Sequence, residues 1–329
     1  MNNAFAFMLI LVFQAEGAPF NQEAKSNTHH SVQFLVLADW GGMPHHPYST
    51  MVQVNVAQQM AITAEKENAS FVVSLGDNIY LEGVHDEYDS RFKTTFEEVY
   101  YQDSLHIPWY LIAGNHDYYG NVRAQMIYSA FSSRWNFPYF YYKETRTLPG
   151  GKVLDILMLD TIVLCGNTYG RPDGGQGVKG PKSVYRAEKE WTWIEQNLKD
   201  STADYLLVCG HYPVFSVGAN GPTDILLTRL EPLLYEHRVT AYLSGHDHNI
   251  QHIQTNRGEE RMNYFIIGSG SSTITKQLNL GRVPKNSLKF FFAEHGGFAL
   301  FDVSDTRMKI NFIDSKGIVR YEYSLRPRN

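Results

Sequence analysis

The chain has 329 residues, 43% of them hydrophobic and 14% aromatic, which is enough apolar surface to bury a core and excludes disordered or fibrous classes. Its formal charge of −5 offers no basic field for nucleic acid and no polybasic patch for a membrane, so a small-molecule partner is expected. With only Cys165 and Cys209, at most one disulfide can form and the fold must rest on its core.

The first 17 residues hold an apolar run from Ala4 to Phe13, no charge before Glu16, and small residues at Ala15 and Gly17 spaced for signal-peptidase cleavage. Residues 1–17 are read as a signal peptide and 18–329 as a single domain, with a secreted or lysosomal destination. No later stretch approaches the roughly 18 continuous apolar residues of a membrane helix. The sequon Asn68-Ala69-Ser70 makes Asn68 a glycan acceptor on a secretory route.

Six short, β-rich and nearly continuous apolar runs follow, at 33–39, 71–77, 109–115, 153–160, 205–211 and 240–246, as expected of strands buried on both faces. Helical spacing at 49–67, 86–100, 184–199 and 224–237 lies between them, so the first 250 residues read as an α/β unit with largely parallel strands. After Asn249, strands separated by short turns predict a mostly antiparallel second sheet. Two sheets face to face with helices outside is the expected architecture. The Gly-rich stretch 166–183 reads as one long loop.

Ligands of open α/β sheets bind beyond the carboxyl ends of the strands. Asp39 closes the first run, Asp77 and Tyr80 follow the second, Asn115 and His116 the third, His211 the fifth, and His246 with His248 the sixth; Asp160, after the fourth, has no assignment. A lone Asp or His at a strand end is usually a turn or surface residue, but carboxylates and imidazoles at the tips of successive strands form a metal-binding pattern.

The segments DWG (39–41), GDNIY (76–80), GNHD (114–117), GHYP (210–213) and GHDH (245–248) resemble the five motifs of the metallophosphoesterase superfamily. They are most similar to purple acid phosphatases of the small, mammalian tartrate-resistant type. The resemblance implies an α/β fold, a four-layer α/β/β/α sandwich of two mixed sheets flanked by helices. It also implies that Asp39, Asp77, Tyr80 and His248 hold one metal and Asp77, Asn115, His211 and His246 the other, with Asp77 bridging.

Two carboxylates and a phenolate suit Fe(III), while the second, mainly neutral set suits a divalent ion such as Fe(II), Zn or Mn. Gly41 stands where most relatives outside the purple enzymes carry a ligand His, and Tyr80 supplies the replacement. Two metals about 3.5 Å apart would activate a hydroxide against a phosphate monoester, with the ferric ion keeping it available at acid pH.

His116 is the expected contact to the phosphoryl group or acid for the leaving alkoxide, with Asp117 to orient it. Ala219 and Asn220 replace an acidic residue and a His of the mammalian loop, and Ile225 replaces the half-cystine that pairs with the equivalent of Cys165, so that disulfide should be missing. His29, His30, His45, His46 and His252 match no ligand motif and are read as surface residues, with His45 and His46 near the cleft. The expected protein is a monomer acting on small phosphate monoesters or phosphoproteins, with no nucleic-acid or membrane partner. The alternatives are a phosphodiesterase or nucleotidase of the same superfamily, or an iron-carrying glycoprotein with weak activity.

Overall fold

The computed structural model describes residues 31–169 and 177–328. The segment read as a signal peptide, His29, His30 and the centre of the Gly-rich loop lie outside the described residues.

The first sheet holds seven strands. Four are parallel neighbours: β1 (Ser31–Leu37), then, after helix α1 (Met51–Glu67), β2 (Phe71–Ser74), β3 (Trp109–Leu111) and, beyond α2 (Val122–Tyr128), β4 (Trp135–Asn136). The second sheet starts with the antiparallel pair β5 (Tyr142–Thr147) and β6 (Val153–Met158). Helix α3 (Thr161–Cys165), the small ribbon β7 (Thr168–Tyr169) and β8 (Gly177–Val178), and α4 (Val184–Asp200) lead on to β9 (Tyr205–Cys209). Helix α5 (Glu231–Glu236) then precedes β10 (Ala241–Ser244).

Past residue 249 the chain serves both sheets. β11 (Ile250–Arg257), β12 (Glu260–Ile267) and β13 (Leu288–Phe292) complete the second sheet, in the order β13-β11-β12-β10-β9-β6-β5. β14 (Gly297–Ser304), β15 (Met308–Asp314) and β16 (Val319–Leu325) return to the first, β14 pairing antiparallel with β1. Each sheet is mixed, as the resemblance implies; the plainer split into a largely parallel first and a mostly antiparallel second sheet does not hold. Apolar periodicity marks a strand but does not choose its neighbour.

The parallel strands are buried on both faces because each alternates between two cores. In β9, Tyr205, Leu207 and Cys209 face the core between the sheets, while Leu206 and Val208 pack with Trp191, Ile194 and Leu198 of α4 outside. Helix α1 covers the outer side of the first sheet with Val56, Ala57 and Met60, which gives the four-layer sandwich.

Helix 86–100 does not form as predicted. The Asp89 carboxylate accepts from the His85 and Arg91 amides and Asp86 from that of Tyr88, local bonds that compete with a helix and leave one wide turn at Phe92–Glu97. Segment 224–237 is helical from 224 to 236, as expected, but widens to a π-helix at Leu226–Leu230 before α5 begins at Glu231.

His252 is corrected from surface to core. It is fully buried on β11, facing the Asn263 amide oxygen at 3.0 Å and the Tyr321 hydroxyl at 2.8 Å. Its strand, IQHIQTNR, is too polar to read as buried. Cys165 and Cys209 are both free and buried, in line with the missing crosslink.

Candidate metal centre

The carboxyl ends of β1, β2 and β3 in one sheet and of β9 and β10 in the other open onto the same edge of the sandwich, and every candidate ligand stands there. Asp39, Asp77 and His246 adopt left-handed φ values of 57°, 53° and 68°. Such backbone costs about 1 kcal/mol per residue and persists only where the surroundings fix it. Neighbouring glycines make the room: a Cβ at Gly114 would lie 2.1 Å from Asp77 Oδ1, and one at Gly245 2.5 Å from Asp39 Oδ2. Trp40 locks the first motif into the core, donating from Nε1 to Ser74 Oγ at 2.8 Å among Phe96, Tyr100, Trp109 and Trp135.

The seven side chains converge. Tyr80 Oη lies 3.0 Å from Asp39 Oδ1 and 3.0 Å from His248 Nε2, and His248 Nε2 lies 3.5 Å from Asp39 Oδ1. His211 Nε2 lies 3.5 Å from Asp77 Oδ1 and 3.0 Å from Asn115 Oδ1. His246 stacks edge-on to His211, ring centroids 5.1 Å apart. Asp39, Asp77 and His211 each offer a ligand atom within 4.8 Å of the other two.

Imidazole orientation comes from outside this group. His211 Nδ1 donates to Leu75 O at 2.9 Å and His248 Nδ1 meets Ser272 Oγ, which leaves both Nε2 atoms facing inward.

The charge balance asks for cations. Asp39 and Asp77 are buried, and among the described residues no lysine or arginine pairs with either. Burial, with the charges of Asp39 and Asp77, pushes the Tyr80 phenol well above its ordinary value, so it ionises only against a strong positive charge. Burial and His211 hold His246 well below its usual value, which keeps the neutral imidazole a metal needs. Hard oxygen donors on one side and neutral nitrogen and amide oxygen on the other thus fit two unlike ions.

His116 sits half-buried at the mouth, its Nδ1 donating to Leu81 O at 2.6 Å. That carbonyl, rather than the expected Asp117, orients it. The Asp117 carboxylate is spent on the amides of Gly114, Asn78 and Ile79 at 2.8, 3.1 and 3.2 Å and on Gln125 Nε2 at 2.8 Å, binding the second and third motifs together.

Asp160 caps α3, accepting from the amides of Ile162 and Val163 at 3.1 and 2.9 Å. Asn220 lines the cleft and donates to His246 O at 2.9 Å, while its neighbour Ala219 has no acidic group. The stem of the Gly-rich loop reaches the site: Asn167 Nδ2 donates to Asn115 O at 3.1 Å, and Thr168 Oγ1 lies 3.5 Å from Asn115 Nδ2. Met43 and Pro44 line the cleft, whereas His45 and His46 do not. Asn68 is exposed at the end of α1.

Sequence reasoning misses Asp247. It is buried between the candidate ligands of GHDH and accepts from Ser216 Oγ and from the amides of Asn220 and Gly221 at 2.9 and 3.2 Å. Its place between two histidines is the signal that it anchors the loop facing them.

Two mixed sheets that bring carboxylates from one side and imidazoles from the other to a shared edge are the framework of a metal-dependent phosphoesterase. The chain belongs to the calcineurin-like phosphoesterase family, whose profile matches residues 32–249. It is similar to tartrate-resistant acid phosphatase type 5 of Sus scrofa, 41% identical over 87% of this chain and 84% of the relative, and to that of Mus musculus, 39% identical over 91% and 92%. Among solved structures it is similar to GAP50, the anchor in the inner membrane complex of Plasmodium, at TM-score 0.75 and 25% identity over 91% of this chain and 90% of that one.

Proposed function

We propose that the chain is a purple acid phosphatase that hydrolyses phosphate monoesters at acid pH. The observation that carries this reading is Tyr80 between Asp39 and His248, 3.0 Å from each. Tyr80, Asp39, Asp77 and His248 would hold Fe(III), and Asp77, Asn115, His211 and His246 a divalent ion such as Fe(II), Zn or Mn. When bound, such a pair supplies Lewis acidity toward phosphoryl oxygens and lowers the pKa of water.

The chain's own residues supply the rest. Leu81 O fixes the Nδ1 proton of His116, so its Nε2 takes up a proton from solvent and delivers it to the leaving alkoxide. Asp77, Asn115, His246 and His248 line the cleft in which a phosphate ester would bind. The apolar run at residues 4–13 supports secretion or lysosomal delivery, and the exposed sequon at Asn68 a glycan there; no helix among the described residues is long and apolar enough to cross a membrane. Small phosphate monoesters or phosphoproteins are the substrates, and the protein is a monomer.

Purified protein should carry two metals, show a visible phenolate-to-iron band and hydrolyse p-nitrophenyl phosphate fastest below pH 7. Protein with two metals and no monoesterase activity would instead support a second reading, a scaffold that keeps its metals. The likeness to GAP50 and the residues Ala219 and Asn220 favour that second reading.

A further inference from the structure

The cleft outside the candidate ligands encloses about 720 Å³, and its wall is apolar: Met43, Pro44, Leu81, Tyr119 and Ile274. Leu81 and Tyr119 are 51% and 52% exposed, surface for an organic group to cover. Apart from His116 and the candidate ligands, its only charged side chain among the described residues is Glu82, which is exposed and enters no ion pair there. No lysine or arginine among the described residues lines it.

Glu82 lines the same cleft as His116. Its neighbour Leu81 gives its carbonyl to His116 and its side chain to the wall, so a group protonated by His116 departs along residues 81 and 82. We infer that Glu82 selects the substrate class: monoesters whose leaving group joins an aryl or alkyl surface to a nearby ammonium or guanidinium, such as phosphotyrosyl peptides with basic flanks. Esters bearing further phosphates meet a carboxylate there and are disfavoured. The inference rests on the monoesterase reading. A partly exposed pair of opposite charges is worth about two- to five-fold, and exchanging attraction for repulsion up to about ten-fold.

The test is kcat/KM for two phosphotyrosyl peptides, Arg-flanked and Glu-flanked, on metal-loaded wild type, Glu82→Gln and Glu82→Lys, with p-nitrophenyl phosphate as reference. The ratio of the two peptides cancels any general loss of activity in a variant. Wild type should prefer the Arg peptide by about five- to ten-fold, mainly in KM. Glu82→Gln should reduce the preference, Glu82→Lys reverse it, and ~0.5 M salt flatten it. Fluorescence anisotropy of labelled phosphonate analogues of both peptides should show the same order in Kd. A ratio unchanged in Glu82→Lys, with p-nitrophenyl phosphate still hydrolysed, overturns the role of Glu82. Wild type inert on p-nitrophenyl phosphate overturns the monoesterase reading itself.

Discussion

Gly41 and Tyr80 show how one missing side chain makes room for another. A Cβ at position 41 would stand 2.5 Å from Tyr80 N, and Gly41 O accepts that same amide at 2.9 Å, so a ligand side chain at 41 and the Tyr80 loop exclude each other. Gly41→Ala is expected to displace the loop, lowering Tm by several degrees and weakening the visible band together. Colour and Tm that both stay at wild-type values would show that the contact is soft. Tyr80→Phe removes the phenol that faces Asp39 and His248. The band should vanish while metal analysis still finds two ions and part of the turnover survives. A violet Tyr80→Phe protein would return Tyr80 to a packing role and widen the reading to phosphoesterases in general.

Between elements, the decisive contact is Asp117, whose carboxylate ties the loop after β2 to the loop after β3 through four donors. Asp117→Ala leaves those amides without a partner and should cost about 3–5 kcal/mol, read in chemical denaturation, with weaker metal retention. The candidate ligands are legible in the sequence because each follows an uninterrupted apolar run, and a buried parallel strand has nowhere to place such a side chain except at its tip. The sheet assignment is not legible, since pairing of β14 with β1 spans more than 250 residues and leaves no local mark. β11 escapes notice for a different reason: its buried Gln251 donates to Ser216 and Asn249, and its half-buried Gln254 to Asn263 and Tyr323, so polarity there does not mean exposure. The loop 166–183 is bound at one stem to Asn115 through Asn167 and at the other to Asn167 through the Lys179 amide. Limited trypsin is expected to cut first after Arg171, Lys179 or Lys182 and to change kcat. A first cut elsewhere, or a nicked protein of unchanged kcat, would detach this loop from control of the site.

At the scale of the whole molecule, a second buried cluster ties the far side of the second sheet to acid conditions. Glu190 on α4 is fully buried, one oxygen accepting the Asp160 amide at 2.7 Å and the other without a partner among the described residues. Burial and the Asp160 charge push its carboxyl well above the ordinary range, and burial pushes Asp160, which accepts from Tyr118, up to about 6. Arg186, the thiol of Cys165 and the phenols of Tyr118, Tyr141, Tyr212 and Tyr242 also act on this pair. Both carboxyls hold protons in the folded state that the unfolded chain releases near pH 4, so stability is fullest below about pH 4 in this respect and falls as pH rises through 6. Glu190→Gln should flatten that decline and raise stability at pH 7, where the wild-type carboxyl loses its proton on unfolding. Urea titrations from pH 4 to 8 that run parallel for both proteins would place the acid dependence elsewhere.

The two sheets also share their metal-facing edge in a way that bears on lifetime. Asp39, Asp77, Tyr80 and Asn115 hang from one sheet and His211, His246 and His248 from the other, so ions held among them would staple the two halves of the sandwich across their seam. Unfolding by separation of the sheets then has to release the ions first, and the staple adds to the barrier as well as to the equilibrium. Chelator should therefore act as a clock: the half-life of the folded protein at a fixed temperature should follow the rate of metal loss, and added metal should slow inactivation without changing the activity of molecules still intact.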